Sequence, residues 1–564
     1  MEPAAKGRTS AARGPPAGRP VRVAILAVFL VGIAVWFASS VSLRRAFVGD
    51  MVDDGQYLVG AQSLRAGTGY RLVSRPGEPV ARKYPPGVSI MTWAALECVP
   101  GRPSLAKDQA VARGLMFACA VGLACGCRRL FALCGLDGWA GTLLALAVLY
   151  HPSVVAYVGY LNADLPFTAL TTWLACRWAA RWQNRTPASP LAWAVDGLLV
   201  GAAILVRGNG VTLPLAGLVG VLAARSGRTV LDGVAFLLPA VLIPALGIVL
   251  VASQAGGRDT GFYGSELSGA YGAQPHLWTI PLGNARRVSH VLATEMIWPM
   301  AEWTTPDGHV LGRWPLGAVA LCDGTLLLIV VGLCRLVPAR LGWAVPTQAV
   351  LTVGLFCIWH FPFQVRFALP LLPLVMAGFA AGAGFLLRPL CPTPVVQRVA
   401  GGAAWVGGAV VLVGTIAYAH RYGGVRGRGV EPGTVQAFDA VRRLTAPGDV
   451  LLSGPAPELV YLNSGRQAAP LLDDDRFFAG LPPTWPRLQR WLRAGRATYF
   501  LLQRPESATA YDFQRAADAA TPYVVRPLFE STDGQYWLGR MTTALRTPAT
   551  APVPTPITGR LGAD

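Results

Sequence analysis

The sequence predicts a mainly α-helical membrane protein, with about 11 spanning helices and a small α/β domain at its C-terminus. Three observations carry this. Charged residues make up 14% of the 564 and hydrophobic residues 53%, whereas soluble domains hold roughly 25% charged residues. Apolar runs approaching the ~20 residues that a spanning helix needs recur from residue 23 to residue 419. Beyond His420 those runs stop, and short strand and helix patterns alternate instead.

Residues 1–22 are rich in Ala, Gly, Pro and Arg and read as a disordered cytoplasmic tail carrying Lys6, Arg8, Arg13, Arg19 and Arg22. Val23 to Val41 is longer than a usual signal-peptide core and lacks an A-x-A cleavage site, so it reads as an uncleaved first span. It opens a transmembrane domain over 23–420. A polar outer loop over 42–107 follows, in which the 13 residues from Gly87 to Val99 are too short to span and suit an interfacial helix. Further spans are expected near 108–128, 138–156, 164–181, 190–206, 211–224, 231–252, 315–335, 342–360, 367–387 and 400–419, with a second outer loop at 253–314.

Arginine placement sets the topology. With the N-terminus inside, the inner loops hold Arg128 and Arg129, Arg181 and Arg185, Arg225 and Arg228, Arg335 and Arg340, Arg388 and Arg398. Each carries at least two, as short cytoplasmic loops do. Arg44 and Arg45 oppose this assignment, but the five N-terminal cations outweigh them. The predicted topology is N-in, C-out, in the plasma or inner membrane. Residues 421–541 then form an extracytoplasmic α/β domain: Val435, Phe438, Val441 and Leu444 recur at helical spacing. Strands are expected at 449–453, 497–503, 523–529 and 535–541, and helices near 484–494 and 507–518. Residues 542–564, rich in Pro, Thr and Ala, read as a disordered tail.

Some functions are disfavoured at once. The net charge of +19 is not gathered into a basic cluster with interleaved aromatics, so nucleic acid is not an expected partner. The ten cysteines lie in or beside apolar runs, and Cys125-Gly126-Cys127 has no second ligand pair, so neither a disulfide framework nor a zinc site is indicated. No metal is required by the sequence, although the adjacent acids Asp53 and Asp54 are a pair that can bind a divalent cation.

The polar residues sort by side. Asp53, Asp54, Lys83, Tyr84, His151, Asn162, Asp164, Arg207, Asn209, His360 and Arg366 all fall on the predicted outer side. The inner side has topological arginines and little else, so a site would face outward. Asp53 and Asp54 beside a membrane can deprotonate a hydroxyl, bind a cation, or simply be solvated loop acids. Arg207, between two short spans, either snorkels or binds an anion. His151 either sits at the interface or assists substrate, and Lys83 beside Tyr84 suits a phosphate or a lipid head group equally.

Several stretches in order carry a resemblance: Asp53-Asp54-Gly55-Gln56-Tyr57, Gly67-x-Gly69-Tyr70 and Lys83-Tyr84-Pro85-Pro86-Gly87 in the first outer loop; Asn162-Ala163-Asp164-Leu165-Pro166; Arg366-Phe367-Ala368-Leu369-Pro370-Leu371-Leu372-Pro373; and Tyr461-Leu462-Asn463-Ser464-Gly465-Arg466. Together they resemble the lipid-linked-sugar glycosyltransferases of GT-C architecture, nearest to the protein O-mannosyltransferases and the lipid A aminoarabinose transferases. The resemblance implies transfer of a sugar from a polyprenyl-phosphate carrier to a lipid, glycan or protein acceptor at the outer leaflet, in a bacterial cell envelope. It puts Asp53 at the family's aspartate position, as general base. Asp54 stands where many relatives carry Glu, and would orient the acceptor or bind a metal. Asp164 would hold substrate hydroxyls.

The chemistry fits independently. A polyprenyl phosphate is a good leaving group that needs positive charge as it departs, which makes Lys83, Arg207 and Arg366 the outer-side candidates, with Tyr57, Tyr84 and His151 as neighbours on the substrate. One carboxylate accepting the hydroxyl proton completes the minimum equipment. The alternative is a transporter or flippase of lipid-linked glycans. It predicts ionisable residues midway through spans, whereas Asp196, Asp232 and Asp323 lie toward span ends. A scaffold presenting the C-terminal domain gives no reason for acids and cations to gather on one side.

Overall fold

The computed structural model describes residues 19–42, 52–81, 83–136, 138–184, 188–224, 228–254, 279–298, 316–359, 364–387, 432–470, 499–503 and 523–543. The first helix, α1 (Arg19–Ser42), matches the first predicted span. The polar outer stretch holds the short helix expected at Gly87 to Val99, as α3 (Gly87–Cys98), and one more where the sequence predicts loop, α2 (Val52–Arg65), so Asp53 and Asp54 are the first turn of a helix rather than loop acids. Carboxylates there face the positive end of the helix dipole, which favours starting a helix at that point.

The following helices are α4 (Leu105–Leu133), α5 (Gly138–Leu149), α6 (Pro152–Tyr157), α7 (Asp164–Asn184), α8 (Pro190–Val206), a 3-10 turn (Gly208–Thr212), α9 (Leu213–Ala223) and α10 (Thr229–Gln254). Capping residues set the boundaries. Ser104 starts α4 by accepting from Lys107 N at 3.2 Å, and Ser189 starts α8 by accepting from Ala192 N at 3.3 Å with Pro190 behind it. The span expected at 138–156 is broken at His151, because Pro152 cannot continue α5 and begins α6 instead. Within the region expected to be the second outer loop lies a further helix, α11 (Thr279–Ala293). Then come α12 (Leu316–Leu336), a π turn (Val337–Leu341), α13 (Ala344–Ile358), α14 (Val365–Ala368), a 3-10 turn (Leu369–Leu371) and α15 (Leu372–Leu387). The predicted span at 400–419 and the predicted helices at 484–494 and 507–518 lie outside the described residues.

Among the described residues four helical stretches are long and apolar enough to cross a membrane: Leu105–Leu133, Thr229–Val249, Leu321–Leu341 and Val365–Leu386. Five shorter apolar helices accompany them. Large apolar side chains lie on their outer faces; on α10, Leu238, Ile248 and Val249 are each more than 60% exposed, as suits contact with lipid. The inner faces interdigitate around Trp36, Phe131, Phe236, Leu149 and Leu165. Cysteines serve this packing, as their positions in apolar runs imply: buried Cys176 of α7 donates its thiol to Gly126 O of α4 at 3.3 Å.

The described residues between 432 and 543 form a separate mixed sheet with helices α16 (Pro432–Leu444) and α17 (Pro457–Ser464). The strands are β1 (Leu451–Ser453), β2 (Ala468–Pro470), β3 (Tyr499–Gln503), β4 (Tyr523–Glu530) and β5 (Tyr536–Thr543), in the order β2-β1-β3-β5-β4. Pairing is parallel on one side of β3 and antiparallel on the other. Its core joins Phe438, Val441, Leu451, Leu501 and Leu538.

This α/β unit is seated on the segment between α2 and α3. Ala468 N donates to Ser74 O at 2.9 Å, and Gln467 Nε2 donates to Val73 O at 3.1 Å. Arg75 Nε lies 2.9 Å from Glu458 Oε1, and Glu458 is fully buried. Removing the charge of one member of such a pair strands the other in a low dielectric.

Candidate functional site

Helix α2 brings Asp53 and Tyr57 to the same face, one turn apart. Tyr57 is buried, and its carbonyl accepts from Ser89 Oγ of α3 at 2.9 Å, which fixes the two helices to each other. Tyr84 precedes Pro85 and Pro86, whose restricted backbones present it ahead of α3. Its phenol donates to Asp53 Oδ1, and its ring lies 5.3 Å from that of Tyr57. From 313 residues away, Arg366 Nη1 donates to Asp53 Oδ2 at 3.2 Å.

The second carboxylate is Asp164, in the first turn of α7. Asn162 builds that start: its Oδ1 accepts from Leu165 N at 3.0 Å, and its Nδ2 donates to the carbonyls of Tyr157 at 2.6 Å and Tyr160 at 2.7 Å. Buried Asp164 is ion-paired with Arg207. Arg207 is an extended residue between α8 and the 3-10 turn, at φ −151° and ψ 130°. Burial pulls its guanidinium down to about 10, while the nearby Tyr57 phenol and Asp53 carboxylate raise it and Arg366 lowers it. Arg207 therefore keeps its charge at neutral pH.

Phe367 binds the two halves together. Its ring centroid lies 4.8 Å from the Arg366 guanidinium carbon and 5.4 Å from that of Arg207. Two arginines, from the α8 end and α14, thus flank one aromatic ring, and each is paired with an aspartate, from α7 and α2 respectively. Guanidinium–ring stacking holds each cation at a fixed height without using up its hydrogen-bond donors.

The remaining sequence candidates are placed differently. Lys83 sits at the rim, its ammonium 5.5 Å from the Tyr84 centroid. Asp54 is buried and turned about 100° around α2 from Asp53, with Oδ1 accepting from Gly55 N at 2.8 Å. His151 is buried with both ring nitrogens engaged. Nδ1 accepts from Ser153 N at 3.3 Å as the cap of α6, and Nε2 is paired with Glu295 O at 3.0 Å. That engagement makes His151 a joint between α6 and the end of α11. Phe367 and Asn162 are the residues that sequence reasoning left without a role, although both stand inside the quoted motifs beside an assigned residue.

Among the described residues no group of three or more His, Cys, Asp and Glu is placed to hold a metal ion. Asp53 and Asp164 are each paired with an arginine, whereas Asp54 Oδ1 accepts from Gly55 N.

No family model matches the sequence, and no curated protein matches it. Solved structures do. ArnT from Cupriavidus metallidurans bound to undecaprenyl phosphate superposes with a TM-score of 0.53 at 16% identity, over 93% of this chain and 98% of that one. The archaeal oligosaccharyltransferase AglB from Archaeoglobus fulgidus, in complex with an inhibitory peptide and a dolichol-phosphate, superposes with a TM-score of 0.52 at 12% identity, over 92% and 75%. These neighbours are GT-C glycosyltransferases. The chain shares their fold.

Proposed function

We propose that the chain is a membrane glycosyltransferase that moves a sugar from a polyprenyl-phosphate donor to an acceptor hydroxyl at the outer face of the membrane. The observation that carries this is the convergence of Asp53, Arg366, Arg207 and Asp164 around Phe367. The fold supports it, since the ArnT and AglB structures hold undecaprenyl phosphate and dolichol-phosphate.

In this reading the donor phosphate engages Arg366 and Arg207. Arg366 then leaves Asp53 Oδ2. That oxygen is then open to the acceptor hydroxyl, so phosphate binding exposes the proton acceptor. Asp53 takes the acceptor hydroxyl proton as the oxygen attacks the anomeric carbon, and the phosphate departs onto the arginines. Preorganised cations in a water-poor site give the developing charge its stabilisation. Asp164 holds Arg207 and is available to sugar hydroxyls once the donor shares that cation. Tyr84 and Tyr57 orient Asp53 and line the donor, Lys83 attracts the phosphate from the rim, and Asp54 supports the first turn of α2. The topology is N-terminus inside and α/β unit outside, with eleven spans. The partners are the lipid-linked donor, a lipid, glycan or protein acceptor, and membrane lipids.

The test is loss of the protein from its host. A polyprenyl-phosphate sugar should accumulate, and restoring wild type, but not Asp53→Asn, should clear it. A lipid profile unchanged by removal, together with full complementation by Asp53→Asn, Asp54→Asn double mutants, would sink the reading.

A further inference from the structure

A groove lies beyond the far end of α2. Asp53 and Arg65 are at opposite ends of that helix, ~18 Å apart at 1.5 Å per residue. Beyond Arg65 the chain folds into a tight hairpin closed by an antiparallel bridge between Arg71 and Val80. Gly67, Gly69 and Gly77 take positive φ there. Glu78 does so too, at φ 45°, the sole non-glycine with positive φ among the described residues. The strained conformation is held by Glu78 N donating to Arg75 O at 3.0 Å and by Arg71 Nη1 donating to Glu78 O at 3.1 Å. Strain of this kind persists where surrounding structure over-determines it, and such places are often functional.

Between this hairpin and the α/β unit is an open groove of about 590 Å³, lined by Thr68, Arg71, Gly77, Glu78 and Gln467. That volume falls in the range of small-ligand sites. The groove exists only because the α/β unit is docked, through Arg75–Glu458 and the Gln467 and Ala468 hydrogen bonds. It is also tied to the reaction centre, since Tyr70 of the hairpin donates its hydroxyl to Tyr84 O at 3.2 Å.

We propose that this groove is an acceptor subsite and that it takes an uncharged polyhydroxylated chain, a glycan. This rests on the transferase reading. The lining offers donors on Arg71 and acceptors on Glu78 and on Gln467 Oε1, with Gln467 Nε2 held by Val73 O and the Thr68 hydroxyl by Ser63 O; sugar hydroxyls suit such a mixed lining by donating and accepting together. An anionic headgroup fits worse. The one guanidinium has Nη1 committed to a carbonyl, and the Glu78 carboxylate repels phosphate. The Tyr461 phenol of α17 is raised by burial and further by the Glu78 charge.

Full-length protein in lipid nanodiscs should be tested on an array of immobilised neutral oligosaccharides and peptides, with undecaprenyl phosphate binding measured in parallel. Wild type should retain a subset of the oligosaccharides. Arg71→Ala and Glu78→Gly should each weaken that retention at least about tenfold, a loss of one good polar contact, with undecaprenyl phosphate binding unchanged. Glu78→Gly keeps the positive φ at no steric cost, and an unchanged thermal midpoint separates lost retention from misfolding. Equal retention by both variants overturns the subsite. Retention of peptides alone, or of no array ligand while undecaprenyl phosphate still binds, overturns the glycan assignment and leaves the transferase reading standing. Failure of wild type to bind undecaprenyl phosphate as well overturns both.

Discussion

Arg366 Nη1 lies 3.2 Å from Asp53 Oδ2, although 313 residues separate them. The pair holds the proposed base and a proposed phosphate ligand in one contact, so neither is fully available until a donor arrives. Asp53→Asn keeps the shape and the Tyr84 contact but removes the proton acceptor. Transfer should fall by ~10²–10⁴, with undecaprenyl phosphate binding preserved. Single-turnover transfer in nanodiscs reads the first and a binding isotherm the second; an unchanged rate removes Asp53 from the chemistry. Asp54→Asn should fall much less, because that carboxyl faces elsewhere on α2.

Asp164 and Arg207 form the more buried of the two site pairs, their side chains 6% and 15% exposed. Arg207→Ala leaves a carboxylate uncompensated and should cost ~3–5 kcal/mol of stability, seen as a lower thermal midpoint in detergent. Asp164→Asn combined with Arg207→Gln should recover much of that midpoint while donor binding stays weak. Recovery of binding along with stability would mean that Arg207 only braces the fold.

Arg207 also sets a pH limit. Burial first of all brings its folded value to about 10, below the ~12.5 of an unfolded arginine. The unfolded chain then binds the proton more tightly, so through this group stability rises between pH 10 and 12.5. Donor binding should therefore be flat from pH 7 to 9 and decline above 10 for electrostatic reasons alone. A decline beginning near pH 8 would assign the titration to another group.

Much of this site was legible because its residues sit in short local motifs: Asp53 with Tyr57, Asp164 at a helix start, Arg366 before Leu-Pro. Charge sorting along the chain put them on one side. What sequence could not give was which carboxylate meets which arginine, since those contacts depend on how α7, α8 and α14 pack. The helix α2 was read as loop because it is short and polar, with no apolar stripe to betray it; its start is dictated by the acids themselves. The break at His151 was missed because α5 and α6 are equally apolar, and Pro152 alone marks the change. His151 drew a functional reading from its position, and the fold gives both its nitrogens to packing.

Phe367 should matter through the cations it separates. Phe367→Leu keeps an apolar volume but loses the ring faces, worth ~0.5–2 kcal/mol for each stacked guanidinium. Donor affinity should drop by about tenfold with little change in folding, and Phe367→Tyr should restore it. Equal binding by Phe367→Leu and wild type would show that Arg207 and Arg366 are positioned by Asp164 and Asp53 alone.

The helix crossing behind Arg366 offers the last test. Gly332 of α12 faces Gly378 and Gly382 of α15, and a Cβ at Gly382 would run into the Leu328 carbonyl. The close approach is backbone to backbone, so no rotamer relieves it; the helices must separate. Because α15 follows the 3-10 turn after α14, separation also displaces Arg366 and Phe367. Gly382→Ala should therefore lower the thermal midpoint, at ~1–3 kcal/mol for overpacking, and weaken undecaprenyl phosphate binding from a distance. Gly354→Ala on α13 is the matched control: a Cβ there meets nothing within 4 Å, and helix propensity predicts a gain of up to ~1 kcal/mol. If Gly382→Ala binds donor as wild type does while losing stability, the crossing supports the fold without setting the arginine.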